Sequence, residues 1–240
     1  MNRETTNVIR FVLEDLLPPT VRDSAAFRLA ARLIWGGHID HLADFRRRAA
    51  MLTPEEYQAL YREHPRVHDL TDNSRACIER IAADTIGPAI LDVGCGTGYL
   101  LKAITATRQD QFTRITGVDF VRPDGLKTDG IEFIEAPIEG LPFADKAFDT
   151  VICTHVIEHI LDYRAAIQEL RRVAAKRLII VVPREREGIY TFNPHFNFFP
   201  YTHSFLRAMI PLPARYECVL IGRDIYYCED QDGDRTGVSH

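Results

Sequence analysis

The run Ile90-Leu91-Asp92-Val93-Gly94-Cys95-Gly96-Thr97-Gly98-Tyr99-Leu100 constrains the fold more than any other part of the chain. Its apolar start reads as a buried parallel strand and its end as the first turn of a helix. Three glycines at alternate positions let the backbone turn sharply between them and let a ligand approach where a Cβ would clash. Amides at a helix start carry partial positive charge and unpaired donors. The junction is therefore a candidate site for a small polar ligand.

From Ala89 onward strands alternate with helices, the pattern of a parallel sheet covered on both faces. Strands are predicted at 89–93, 114–119, 131–135, 148–154, 177–182, 215–221 and 223–228, the last two joined tightly at Gly222. Helices fit 98–107, 162–174 and 202–209. The stretch 121–130 is too short and too rich in proline and glycine for more than one helical turn. The first 88 residues read as wholly helical. A helix over 7–17 stops at Pro18-Pro19, and a second over 23–35 carries the stripe Phe27, Ala30, Ala31, Ile34 and Trp35. Thr53-Pro54-Glu55-Glu56 has a capping-box layout, opening a helix to about Glu63. Another helix begins near Asp72-Asn73-Ser74 and runs to about Thr85. The expected fold class is thus α/β, a doubly wound sheet preceded by a helical N-terminal region. The expected division is 1–74 as a helical cap on the acceptor side, 75–228 as the ligand-binding domain and 229–240 as a flexible tail.

A net charge of -5 in 240 residues leaves no global footprint for nucleic acid. No apolar run approaches the ~20 residues a membrane helix needs, so no stable membrane insertion is expected. Five cysteines without a C-x-x-C pair point to reduced thiols and a cytoplasmic protein. The apolar stripes of the N-terminal helices read as packed faces; an interfacial membrane helix or a partner surface, including a homo-oligomer contact, is the sharper alternative. Arg46-Arg47-Arg48 reads as a solvated face, or as a contact for an anionic substrate.

An open sheet places ligands outside the carboxyl ends of its strands. Asp119, in Gly117-Val118-Asp119-Phe120, ends the second strand, where a carboxylate can accept both hydroxyls of a ribose. The plainer reading is a strand-end Asp capping a turn. The glycine spacing is G-x-G-x-G, not the G-x-G-x-x-G of a dinucleotide site, and Asp92 stands just before it. An acid there repels a pyrophosphate and suits a cationic ligand, which favours S-adenosyl-L-methionine over NAD.

With Leu91-Asp92-Val93-Gly94-Cys95-Gly96-Thr97-Gly98, Gly117-Val118-Asp119, Leu141-Pro142-Phe143-Ala144-Asp145-Lys146-Ala147-Phe148-Asp149 and His155-Val156-Ile157-Glu158-His159 in this order, the chain resembles the class I S-adenosylmethionine-dependent methyltransferases. Within them it is most similar to the type 11, UbiE-like small-molecule branch, over roughly 75–227. The resemblance implies a Rossmann-like seven-stranded sheet, mostly parallel with an antiparallel last strand. It implies a cofactor site of Asp92, Gly94, Cys95, Gly96, Gly98, Asp119, Phe120, Pro137, Ile138 and Thr154. Pro137 departs from the family, which usually has an Asp there against the adenine amino group; the backbone N–H of Ile138 and the apolar Phe120 and Ile138 remain to hold the base.

H-x-x-E-H also occurs in one metalloprotease family, where both His share a helical face. Here His155 directly follows a predicted strand, so no metal is expected. His155 is the expected catalytic residue, positioning the acceptor or taking its proton. His159, His195, Phe198 and Tyr201 complete the expected acceptor contacts; the segment 190–205 is rich in rings and reads as an acceptor pocket or a satellite core. Tyr61 is a further candidate near the cofactor carboxylate. The expected function is methyl transfer to an O, N or C nucleophile of a small-molecule acceptor (a sugar, secondary metabolite or quinone-like ring), leaving S-adenosyl-L-homocysteine. The competing class is a catalytically silent, methyltransferase-like partner subunit that only binds the cofactor.

Overall fold

The computed structural model describes residues 16–53, 55–57, 59, 71–106, 108–122, 130–190 and 194–231. Most of the predicted helix 7–17, the 121–130 crossover, Tyr61 and most of the tail lie outside them. The chain divides into two compact units. One draws on residues 1–67 and 185–200, the other on 68–184 and 201–240.

The second unit is built on a seven-stranded sheet: β1 (Ala89–Val93), β2 (Arg114–Asp119), β3 (Glu132–Glu135), β4 (Phe148–Thr154), β5 (Ala174–Pro183), β6 (Tyr216–Ile221) and β7 (Asp224–Asp230). Their order is β3-β2-β1-β4-β5-β7-β6. The first five are parallel neighbours, and β7 runs antiparallel to both β5 and β6. The fold is a Rossmann-like doubly wound sheet whose last strand is the antiparallel one. β1, β4 and β5 are apolar on both faces because helices cover both sides. Ile90, Leu91, Val151, Ile152, Ile179 and Ile180 are all fully buried.

Three devices set the strands. Asp149, near the start of β4, accepts the Ala89 N–H at 2.8 Å and pairs with Lys176 at 2.9 Å, which pins the entry of β1 between its neighbours. β5 begins three residues earlier than the apolar run predicts, because Ala174 pairs with Phe148 across a register shift. β7 continues through Asp230 because Glu229, charged but 1% exposed, is held by Arg171.

Helix starts follow the capping chemistry of the sequence. The Ser74 hydroxyl accepts from Cys77 N–H at 3.1 Å and opens a helix over Arg75–Asp84; Asp162 does the same for Tyr163–Val173, through Ala165 N–H. Helices Tyr99–Ala106 and Thr202–Ala208 complete this unit. In the other unit, α1 (Pro19–Arg22), α2 (Ala25–Trp35) and α3 (His38–Arg48) follow one another. Ser24 caps α2, and Thr53 and Glu56 exchange the two bonds of a capping box at 3.2 and 2.9 Å. The predicted packing stripe of α2 is narrower in the structure. Ala31 is buried and Phe27 half-buried, with its ring 6.5 Å from that of Tyr190, whereas Ile34 is 68% exposed. Phe27, Ala31 and Ile34 stand at i, i+4 and i+7 on one face, and the burial of that face stops before its last member.

Candidate functional site

The strand order reverses between β1 and β4. From β1 the chain steps outward to β2 and β3, then returns to lay β4 and β5 on the other side. A crevice forms at the carboxyl ends at such a point. Asp92, the glycine loop, Asp119, Phe120, Pro137, Ile138, Thr154, His155 and His159 all lie at or just beyond the carboxyl ends of β1 to β4.

The glycine loop is stitched to β2. Gly94 and Cys95 both donate their N–H to the Val118 carbonyl, at 2.7 and 3.0 Å. Gly94, Gly96 and Gly98 have φ of 80°, 52° and 74°, values that L side chains rarely adopt. At Gly94 the close neighbour is the protein itself: a Cβ there would overlap Val156 Cγ2. Part of the space that the glycines suggest for a ligand is thus taken by Val156. Cys95 turns its side chain down onto Gly117, where a Cβ would stand 2.7 Å from Cys95 Sγ, so Cys95 faces the crevice with backbone only.

Asp119 binds the loop directly. Its Oδ2 accepts the Gly96 N–H at 2.7 Å and its Oδ1 accepts the Phe120 N–H at 2.8 Å. The turn-capping role is therefore real. It is compatible with ribose binding, since a carboxylate offers about four acceptor positions.

The floor of the crevice is electronegative. Asp92 and Glu158 are 2% and 1% exposed. The buried Cys153 thiol is pushed well above its ordinary pKa, by burial first and then by the charges of Asp92 and Glu158. A cation is favoured over such a floor and a pyrophosphate is disfavoured.

His155 has a φ of 55°, one of two non-glycine residues described in this region of backbone space. Its N–H donates to the Val181 carbonyl at 2.9 Å, which holds the strained turn at the end of β4. Its ring is largely enclosed, with Nδ1 3.5 Å from Glu158 Oε1 and Nε2 3.8 Å from Asp224 Oδ1. Burial opposes the charged form. The contact with Glu158 and the charges of Asp224, Glu158 and Asp72 outweigh it, and the imidazole pKa is raised. His159 closes the short 3-10 turn Ile157–His159 with its N–H on Val156 O at 2.9 Å, a structural task.

The residues expected on the adenine side differ in exposure. Ile138 is 5% exposed and part of the core, Phe120 is half-buried, and Pro137 is exposed. Thr154 accepts a hydrogen bond from Asn73 Nδ2 at 2.9 Å. Asn73 and Asp224 are contacts that sequence reasoning missed. Asn73 looked like part of a helix cap, and Asp224 reaches the site from β7, 69 positions beyond His155.

The remaining predicted acceptor residues are divided between the two units. His195 and Phe198 belong to the helical unit. His195 Nδ1 is 2.6 Å from Glu185 Oε2, with both residues buried, and the Phe198 ring lies 5.0 Å from the Arg46 guanidinium. Tyr201 belongs to the sheet unit, is 47% exposed, and stacks on His203 with ring centres 5.0 Å apart.

Residues 91–182 match the family model described as a methyltransferase domain. Among curated proteins, the chain is 30% identical over 95 residues to the uncharacterized methyltransferase YcgJ of Bacillus subtilis, covering 35% of each chain. It is 32% identical over 93 residues to the ubiquinone biosynthesis O-methyltransferase of Rickettsia conorii, covering 34% of this chain and 29% of that protein. The chain thus spans about a third of the length of these relatives. Among solved structures, the PH0226 protein of Pyrococcus horikoshii OT3 matches with a TM-score of 0.51 at 20% identity, over 72% of this chain and 98% of that one, a likeness of fold.

Proposed function

We propose that this chain, whose residues 91–182 match the model of a methyltransferase domain, transfers a methyl group from S-adenosylmethionine to an O, N or C nucleophile of a small molecule. The observation that carries the reading is the pairing of the glycine loop after β1 with the Asp119 carboxylate that holds it from β2.

The residues fit the cofactor. Asp119 is the acceptor for the ribose hydroxyls, the loop amides and the acids below them suit the methionine end, and Phe120 with Ile138 flanks the base. Bound there, the cofactor supplies an activated methyl on a sulfonium and departs as S-adenosylhomocysteine. The chain's own contribution is alignment and exclusion of water. His155 is the group in this crevice suited to move a proton. Its raised pKa makes it a stronger base that is available only once deprotonated, so turnover rises as pH climbs through that raised value. The acceptor is a sugar, a secondary metabolite or a quinone-like ring. The free thiols support a cytoplasmic setting.

Calorimetry with S-adenosylhomocysteine and, separately, NADH tests the cofactor. Saturable heat is expected with the first only. Absence of heat at about 1 mM, where even a binding energy of about 4 kcal/mol is visible, would sink the reading. The competing reading of a silent cofactor-binding subunit rests on Pro137, which offers no acid to the adenine amino group. Cofactor binding without methyl transfer across a panel of phenols, amines and sugars would favour it.

A further inference from the structure

Among the described residues of the helical unit, one buried and one half-buried guanidinium have no carboxylate in contact. Arg22, the last residue of α1, is 5% exposed. Its Nη2 donates to the Glu187 carbonyl, and its Nε is buried with no hydrogen-bond partner among the described residues. Arg46, from α3, donates Nη2 to the next carbonyl, that of Gly188, and its Nη1 is likewise buried without a partner. The Arg46 guanidinium also lies against the Phe198 ring. Gly188 makes the arrangement sterically feasible: a Cβ there would stand 2.7 Å from both Cζ and Nε of Arg22.

Nearby acids do not close the site. Asp23 Oδ1 accepts the Ile189 N–H at 2.8 Å, and Glu185 is engaged with His195. Burial is the first influence on Arg46 and lowers its pKa; Glu187, Glu185 and Asp23 act on it only through their charges, and Arg22 works against them. A guanidinium keeps its proton at any ordinary pH. Each of the two is tied to a backbone carbonyl, and neither makes an ion pair among the described residues, so their positive charge is offset only at longer range. Water can satisfy the donors but not the charge. A fork of N–H groups matches the geometry of a carboxylate or phosphate.

We propose that Arg22 and Arg46 form a binding site for an oxyanion, a carboxylate or phosphate group, clasped by their remaining N–H groups beside Gly188. The site belongs to the helical unit, and its existence does not depend on methyl transfer. The test uses the full chain without cofactor, titrated calorimetrically with inorganic phosphate and with acetate at matched ionic strength. Saturable binding of either is expected, and the tighter of the two names the group. Arg46→Lys keeps the charge but loses the fork, and should weaken binding about tenfold. Arg47→Gln, at the exposed neighbouring position, should leave binding unchanged. No saturable binding to the wild-type chain up to about 10 mM, or equal binding by Arg46→Lys, overturns the proposal.

Discussion

At the amino-terminal end of the parallel strands the buried carboxylate of Glu229 is closed by its neighbours. Arg171 grips it with Nε and Nη2 at 2.8 and 2.7 Å, the Tyr227 hydroxyl donates at 2.6 Å, and Gln231 Nε2 donates at 2.7 Å. Arg177 on Asp230 and Arg80 on Asp84 extend the same pattern. The guanidinium of Arg171 has a raised pKa: burial opposes it, but the bonds and charge of Glu229 win. At the carboxyl-terminal end the polar groups are engaged differently. Asp119 holds two backbone N–H groups, and His155 stands 3.5 and 3.8 Å from its two carboxylates. Both ends are dense in charge. The second sets a strand-end carboxylate and a titratable nitrogen beside a glycine loop. Polar density by itself therefore does not mark a site; its place at the carboxyl ends of the strands, beside that loop, does.

The contrast breaks first at Arg171. Replacing it by Met strands a buried carboxylate, which costs about 3–5 kcal/mol, and leaves cofactor affinity unchanged. Denaturant titration reads the first and calorimetry the second. A loss below about 1 kcal/mol, or a fall in cofactor affinity, would mean the two ends are not distinct in the way described. The effect at the other end is smaller and of the opposite kind. Asp119→Ala should weaken S-adenosylhomocysteine binding about 10–100-fold, or about 1.4–2.7 kcal/mol, through lost charge-assisted bonds and a loosened Gly96 amide. An unchanged affinity would confine Asp119 to turn capping.

How much of this was legible depended on whether the information is local. All seven strands and the glycine loop were readable because alternation, caps and glycine spacing are properties of neighbours in sequence. β5 was misjudged at its start because Ala174 has no strand signal of its own and is recruited by Phe148. Gly94 was read as room for a ligand because nothing near it in sequence announces Val156, 62 positions away. Asp119 was read as a ribose acceptor or a turn cap, yet its bond to Gly96 required the register of β1 on β2. Arg46 was read, within 46–48, as a solvated face or an anion contact, but its pairing with Arg22 was not legible until both fold onto the carbonyls of 187 and 188.

The finest test of the contrast is at His155. Its folded pKa lies above the ordinary value of about 6.5, because Glu158 and Asp224 overcome the penalty of burial. A raised pKa means that the folded chain binds the proton more tightly than the unfolded chain. The resulting stabilisation is fully present below about pH 6.5 and is lost as pH climbs through the folded value. His155→Gln removes it. The wild-type advantage in unfolding free energy should therefore be largest below the ordinary histidine value and shrink as pH climbs through the raised one. Cofactor affinity should barely change, while turnover should fall and lose its rise with pH. A pH-independent stability difference would show that Glu158 and Asp224 do not hold a proton on His155. The carboxyl-terminal end would then differ from the amino-terminal end in geometry alone, and the base for methyl transfer would have to come from the acceptor itself.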